Sequence, residues 1–288
     1  MKKPILALID SSIYANPVCD LALWAAKSMQ TTIRLLHVLD KSEEEISLPN
    51  TQQMDINNNI PDLSTLEQKD PTLAKALFAQ KVGQAALEEA KNYLNSHSKI
   101  EVETRLRHGT LLDALNIYSN QSSMIVMGKR GEQTASDKKR LGLNFENVVR
   151  SSELPILVAS RHLHPIQRIL IAFDGGPLIM KAIDFICTQE SFKNITFILG
   201  MAERQTQAIQ NSFDATLARL QSAGFNAESL KTEINFEQMI LHNVEPLNLN
   251  MILMGAFHHS KMHNFLFGSK SQAIIHKAPI PVMIMREL

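Results

Sequence analysis

Short apolar runs punctuate the chain, and between them the apolar positions recur every three or four residues. ILALI (5–9), IRLLHVL (33–39), MIVMG (124–128) and PILVAS (155–160) have strand length and polar or turn-forming flanks, the pattern of strands buried on both faces. NPVCDLALWAAKSM (16–29) instead brings Val18, Leu21, Ala22, Ala25 and Met29 to one side of a helix, with Asn16 as its cap and Pro17 in its first turn. A long helical pattern over 73–94 precedes a strand at 100–109, a helix at 111–120 and a short helix at 144–152.

The same series then returns. PILALIDSS (4–12) matches RILIAFDGG (168–176), which sets Asp10 against Asp174 at an offset of 164. SMIVMGKRG (123–131) matches NMILMGAFH (250–258) at an offset of 127, and LPILVAS (154–160) matches IPVMIMR (280–286) at 126. The shrinking offset requires an insertion in the first copy. The polar stretch at about 41–71, with three prolines, an Asn triplet and no sustained period, supplies it as a surface excursion. RHLHPIQR (161–168) bridges the copies, so the expected units are residues 1–161 and 166–288.

Each copy thus reads as five strands alternating with four helices. Parallel strands need crossovers, and the crossovers here are helical, so the fold class is α/β, with two doubly wound, mostly parallel five-stranded sheets. Such sheets bind ligands outside the carboxyl ends of their strands, where strand order reverses. The residues expected there are Asp10, Val38 and Gly128 in the first copy, and Asp174, Met201 and Gly255 in the second.

Composition narrows the function. Of 288 residues, 44% are hydrophobic and 20% charged, ordinary values for a globular chain, and the length suits two units. A formal net charge of +0 gives no general field for a polyanion, so nucleic acid is not the expected partner. Cys19 and Cys187 lie inside amphipathic patterns without metal-type spacing, which points to core filling and not to a disulfide framework. The first apolar run is too short for a signal-peptide core, and no run reaches the length of a membrane span. A cytoplasmic protein without membrane insertion is expected.

The candidate chemistry lies after the fourth strand of each copy. In the first, Gly128, Gly131 and Gly142 punctuate GKRGEQTASDKKRLGLN (128–144); in the second, Gly255, His258, Gly268 and Ser269 punctuate GAFHHSKMHNFLFGSK (255–270). Glycines at a strand end and before a helix let backbone N–H groups approach a phosphate, and the helix N-terminus adds partial positive charge. A purely structural turn is the competing reading. Lys129, Arg130, Lys138, Lys139 and Arg140 would make a basic rim beside such an anion.

The strand-ending Asp, the late MG with its glycine-spaced loop, the GS before the last helix and the Pro-Val opening the final strand resemble the universal stress protein family, and two consecutive copies resemble its tandem members. The resemblance spans nearly the whole chain outside the insertion. It implies an adenine-nucleotide α-hydrolase-like fold, two domains related by a pseudo-two-fold axis, and pairing through the final strands at 156–160 and 282–286. It also implies ATP or AMP binding through a G-x2-G-x9-G-(S/T) loop. Carried over residue by residue, the nucleotide site is Asp10, Val38, Gly128, Gly131 and Gly142 in the first copy, and Asp174, Met201, Gly255, Gly268 and Ser269 in the second.

Both loops depart from that pattern. The first has ten residues between Gly131 and Gly142 and Leu143 where a hydroxyl belongs, with Asn144 as a substitute donor; the second has His258 in place of the middle glycine. RHG (107–109) resembles a further family glycine that the second copy lacks. His258, His259 and His263, with His242 as an outlying member, form a candidate zinc cluster, and solvated loop histidines are the competing reading. No nucleophile, base and orienting group fall together, and there is no glycine-lysine P-loop, so efficient catalysis is not expected. The expected protein is a regulatory or protective stress-response module binding adenine nucleotide in at least one domain. The alternatives are a nucleotide-free interaction scaffold and a zinc-binding or weakly hydrolytic protein. Its protein partners stay open, as does a homodimer of the tandem chain.

Overall fold

The computed structural model describes residues 2–39, 71–129, 143–203, 205–255 and 269–286. In the first half, β1 (Ile5–Leu8), β2 (Ile33–Leu39), β3 (Val102–His108), β4 (Met124–Gly128) and β5 (Ile156–Ala159) alternate with α1 (Ala15–Met29), α2 (Pro71–His97), α3 (Leu111–Tyr118) and α4 (Leu143–Ser151). The second half repeats the series with β6 (Arg168–Ala172), β7 (Thr196–Met201), β8 (Asn226–Lys231), β9 (Met251–Gly255) and β10 (Val282–Met285). Its helices are α5 (Pro177–Cys187), α6 (Gln207–Ser222), α7 (Phe236–Asn243) and α8 (Ser269–Lys277).

The strands make one ten-stranded sheet in the order β3-β2-β1-β4-β5-β10-β9-β6-β7-β8. From the middle outward the order is the same on both sides. Every pairing is parallel except that of β5 with β10, where Val158, Leu157 and Ile156 face Val282, Met283 and Ile284. The two five-stranded sheets are thus joined edge to edge through the final strands of the two copies.

Central strands such as β4, β5, β9 and β10 are apolar and buried, as strands covered by helices on both faces must be. The outer strands β3 and β8 are mixed and partly exposed, VETRLRH and NAESLK, which keeps a sheet edge from pairing with other chains. In the first half α1 and α2 pack together on one face, and α3 and α4 pack together on the other. Helix α1 begins at Ala15, with Tyr14 at its cap position and no capping side chain, so Asn16 and Pro17 lie within the first turn instead of starting it.

Side chains tie the halves together around the junction. Trp24 of α1 stacks on Phe192 at 5.9 Å, and Ser191 Oγ donates to the Ser28 carbonyl at 2.8 Å. Arg286, after β10, donates from Nε to the Ser152 carbonyl at 2.9 Å, past the end of α4. Lys129, after β4, donates to the Ala278 carbonyl past the end of α8. Each half therefore lends a cation to the carboxyl end of the other's last helix, where unpaired carbonyls favour it. Lys129 is buried in this role and does not belong to the exposed basic rim expected for it.

Candidate functional site

The order of strands locates the site. From β1 the chain turns to β2 and β3 on one side, then returns to β4 and β5 on the other, so the reversal falls between β1 and β4. Outside the carboxyl ends of β1, β2 and β4 an open cleft is lined by Leu8, Ile9, Asp10, Leu36, His37, Val38, Met127 and Gly128, with Leu111 of α3 and Asn144 and Phe145 of α4. Four expected residues, Asp10, Val38, Gly128 and Asn144, converge there from segments far apart in the chain. Gly131 and Gly142 lie outside the described residues.

Asp10 leaves β1 and turns the chain: its Oδ1 accepts the Ser12 N–H at 3.0 Å, and Ser12 Oγ accepts that of Tyr14 at 3.2 Å. This bond occupies one carboxylate oxygen and orients the side chain at the cleft. The apolar floor comes from alternation, because Leu8, Leu36 and Met127 share one face of three register-matched strands.

His37 projects to the other face, where its Nδ1–H donates to the Ile9 carbonyl at 2.8 Å. Its ring lies against Gly83 of α2, where an added Cβ would come within 2.7 Å of Cδ2 and 2.9 Å of Nε2. The loop after β3 turns at Gly109, at φ +120°, and the Gly109 N–H donates to the Leu39 carbonyl at 3.0 Å. That left-handed backbone accounts for the glycine in RHG.

The second half repeats part of this arrangement. Asp174 ends β6, and its Oδ1 accepts the Gly176 N–H at 2.8 Å, as Asp10 does that of Ser12. Gly255 ends β9 against α5, with Leu178 Cβ 3.4 Å from where its own Cβ would stand. Met201 is buried at the end of β7. Strand register makes His37 its counterpart: Leu8 faces Leu36 and Ala172 faces Gly200, so one residue on, His37 matches Met201, and Val38 matches Ala202. The equivalent of Val38 is therefore Ala202, one residue beyond the position expected from the sequence.

Neighbouring positions differ in size between the halves. Leu36 and Ala114 in the first are matched by Gly200 and Met239 in the second, and Met239 Cε lies 3.0 Å from where a Gly200 Cβ would stand. Ser269 opens α8, while His258, Gly268, His259 and His263 lie outside the described residues. His242 is exposed near the end of α7. Among the described residues no three His, Cys, Asp or Glu side chains gather as a metal site, and no helix is long and apolar enough to cross a membrane.

Sequence reasoning missed the apolar lining, Leu8, Ile9, Leu36, Leu111, Met127 and Phe145, and the position of Ala202. Applying the 164-residue offset of the first strand to the second would have found Ala202. The lining had no comparable signal, because it depends on which face of each strand the helices cover.

A doubly wound sheet with a cleft at its switch point, joined to a second such sheet across an antiparallel junction, defines a tandem α/β protein. The family model described as "Universal stress protein family" matches residues 1–160 and 196–286, and the chain belongs to that family. Universal stress protein Slr1230 of Synechocystis sp. is similar along the full length, 29% identical over 291 residues that cover 99% of this chain and 100% of the relative. Universal stress protein Rv2005c of Mycobacterium tuberculosis is 20% identical, covering 70% of this chain and 75% of its own. The crystal structure of a universal stress protein from Archaeoglobus fulgidus shares the fold, with a TM-score of 0.72 at 17% identity over 99% of this chain and 96% of that one.

Proposed function

We propose that this stress-family protein binds an adenine nucleotide, ATP or AMP, in at least one of two units, residues 1–161 and 166–288. It acts as a ligand-responsive regulatory or protective module and not as an efficient catalyst. One observation supports the reading: Asp10, Val38, Gly128 and Asn144, which come from segments far apart in the chain, meet around one cleft at the switch point of a doubly wound sheet. The apolar floor suits a flat base. Asp10 suits a ribose hydroxyl, since one of its oxygens is fixed by the Ser12 N–H and its carboxylate can accept further bonds. Bound ligand acts by favouring one conformation over another, in proportion to its differential affinity.

The test is an inventory by mass spectrometry of small molecules released from the purified chain on denaturation, followed by calorimetric titration with ATP and AMP. Binding that is lost from the first unit in Asp10→Ala and from the second in Asp174→Ala is the expected result. Absence of any heat with either nucleotide sinks the reading, and rapid ADP formation from bound ATP sinks its non-catalytic part.

A further inference from the structure

Asp10 is held through the peptide that precedes it. The Ile9 N–H continues the ladder to the Leu36 carbonyl at 2.9 Å, and in a regular parallel pair the Ile9 carbonyl would next accept the Val38 N–H. No such bond forms among the described residues; the carbonyl accepts from His37 Nδ1 at 2.8 Å instead. A carbonyl can only accept, so Nδ1 carries the proton in this arrangement. The ring is 8% exposed and packs against α2: a Cβ at Gly83 would meet it at 2.7 Å, with Leu106 Cδ1 at 3.0 Å from the same point. The core, and not solvent, fixes this donor.

The Ile9 carbonyl and the Asp10 N–H belong to one planar peptide unit. Holding the carbonyl therefore sets the plane from which the Asp10 side chain leaves, and the Ser12 N–H then holds its Oδ1 at 3.0 Å. The carboxylate is aligned from its backbone and from its tip.

The second half keeps one of these two holds. The Phe173 N–H donates to the Gly200 carbonyl at 2.8 Å as that of Ile9 does to Leu36, and Asp174 Oδ1 accepts the Gly176 N–H. Met201 stands where His37 does, however, and a thioether has no proton to donate. Here the neighbouring strand is tied instead, with Gln205 Nε2 donating to the Ala202 carbonyl at 2.8 Å. The first half thus tethers the strand that carries the aspartate, and the second tethers the strand beside it.

We propose that His37 is a positioning residue of the first cleft. By holding the Ile9 carbonyl it sets the direction of the Asp10 carboxylate toward a ribose hydroxyl, so ligand affinity in the first half depends on a hydrogen-bond donor at the place of Nδ1. The second half positions Asp174 without such a donor. The inference rests on the adenine-nucleotide reading above and adds to it the residue that aligns the carboxylate.

The experiment titrates AMP into full-length Asp174→Ala, which leaves the first unit as the binding half. His37→Leu in that chain lowers AMP affinity about three- to tenfold, the factor that one neutral hydrogen bond carries. His37→Asn recovers most of the loss, because its Nδ2 donor stands as many bonds from Cα as the imidazole Nδ1 does. Both variants lose the ring that packs on Gly83, so both fall alike in urea stability; a role in packing alone would weaken AMP binding in both. Equal affinity losses in the two, or none in His37→Leu, overturn the proposal and spare the adenine reading. Should His37→Leu fail to fold, His37→Gln carries its amide one carbon too far out and shows the same loss; full affinity there overturns the proposal.

If the Asp174→Ala chain binds no AMP, the adenine reading has failed for the first half, and amide hydrogen exchange at Ser12, whose N–H is held by Asp10, becomes the readout. Faster exchange in His37→Leu than in His37→Asn then upholds the positioning role, and equal rates overturn it.

Discussion

Gly83 shows how a single atom governs the packing of His37 beneath the sheet. Glycine inside a long helix costs about 1 kcal/mol relative to alanine, so Gly83→Ala should stabilise α2 considered alone. In the folded chain the new methyl would stand 2.7 Å from His37 Cδ2, and the ring has little room to retreat because it is buried and its Nδ1–H is held by the Ile9 carbonyl. Overpacking of this kind costs about 1–3 kcal/mol. Gly83→Ala is therefore expected to lower stability in urea denaturation, and a gain would show that His37 is free to move.

Tyr93 offers a pH test. Its phenol is pushed up from 10.0 to about 12, first by burial and then by its hydrogen bond to Asp20 at 2.7 Å. Because the folded value is raised, this group's contribution is fully present below pH 10 and is lost as pH rises towards 12. Tyr93→Phe should flatten the alkaline limb of the stability curve between those values and remove the latest-titrating phase from the tyrosinate absorbance. The two thiols should also separate. Cys19 is fully buried, its thiol pushed up to about 12 by burial and then by the Asp20 charge, and it should resist a thiol reagent that labels the partly exposed Cys187 in the native protein.

Among elements, the joint between β5 and β10 concentrates the linkage. Val158 is fully buried and faces Val282 across the antiparallel pair. Val158→Asp places a carboxylate in the middle of the continuous sheet, and a loss of more than about 3 kcal/mol is expected in chemical denaturation. Lys129→Met keeps much of the side-chain volume but leaves the Ala278 carbonyl without the ammonium donor. It should cost about 1–3 kcal/mol, the penalty for orphaning a buried acceptor. A neutral outcome for Lys129→Met would show that water replaces the lysine at the end of α8.

For the whole molecule, one hydrophobic core runs through both halves, and its buried residues extend from Ile5 to Met285. A continuous sheet over a continuous core should unfold as one unit, with matching transitions by fluorescence and circular dichroism. Separating the halves would expose the apolar strands β5 and β10 at raw edges. Residues 1–161 and 166–288 produced as separate chains should therefore reassociate, each half alone pairing with itself when its complement is missing. Light scattering on size-exclusion fractions would detect this, and stable monomeric halves would contradict it.

The sequence alone determined the alternation of strands and helices, the duplication and the strand-ending aspartates, because these are local patterns written in hydrophobic periodicity and repeated at fixed offsets. It also indicated Gly128 through its place at a strand end, whereas Asn144 entered only as a stand-in for the hydroxyl that the family resemblance implies. Tertiary structure decided what depends on register and on contacts between distant segments. It set Ala202 opposite Val38, turned Lys129 from a presumed rim residue into a buried tie, and lodged His37 against Gly83. The physical reason is that periodicity assigns a residue to an inner or outer face, whereas its neighbour across the sheet or the next helix is fixed only when all the strands are in register and the core has closed around them.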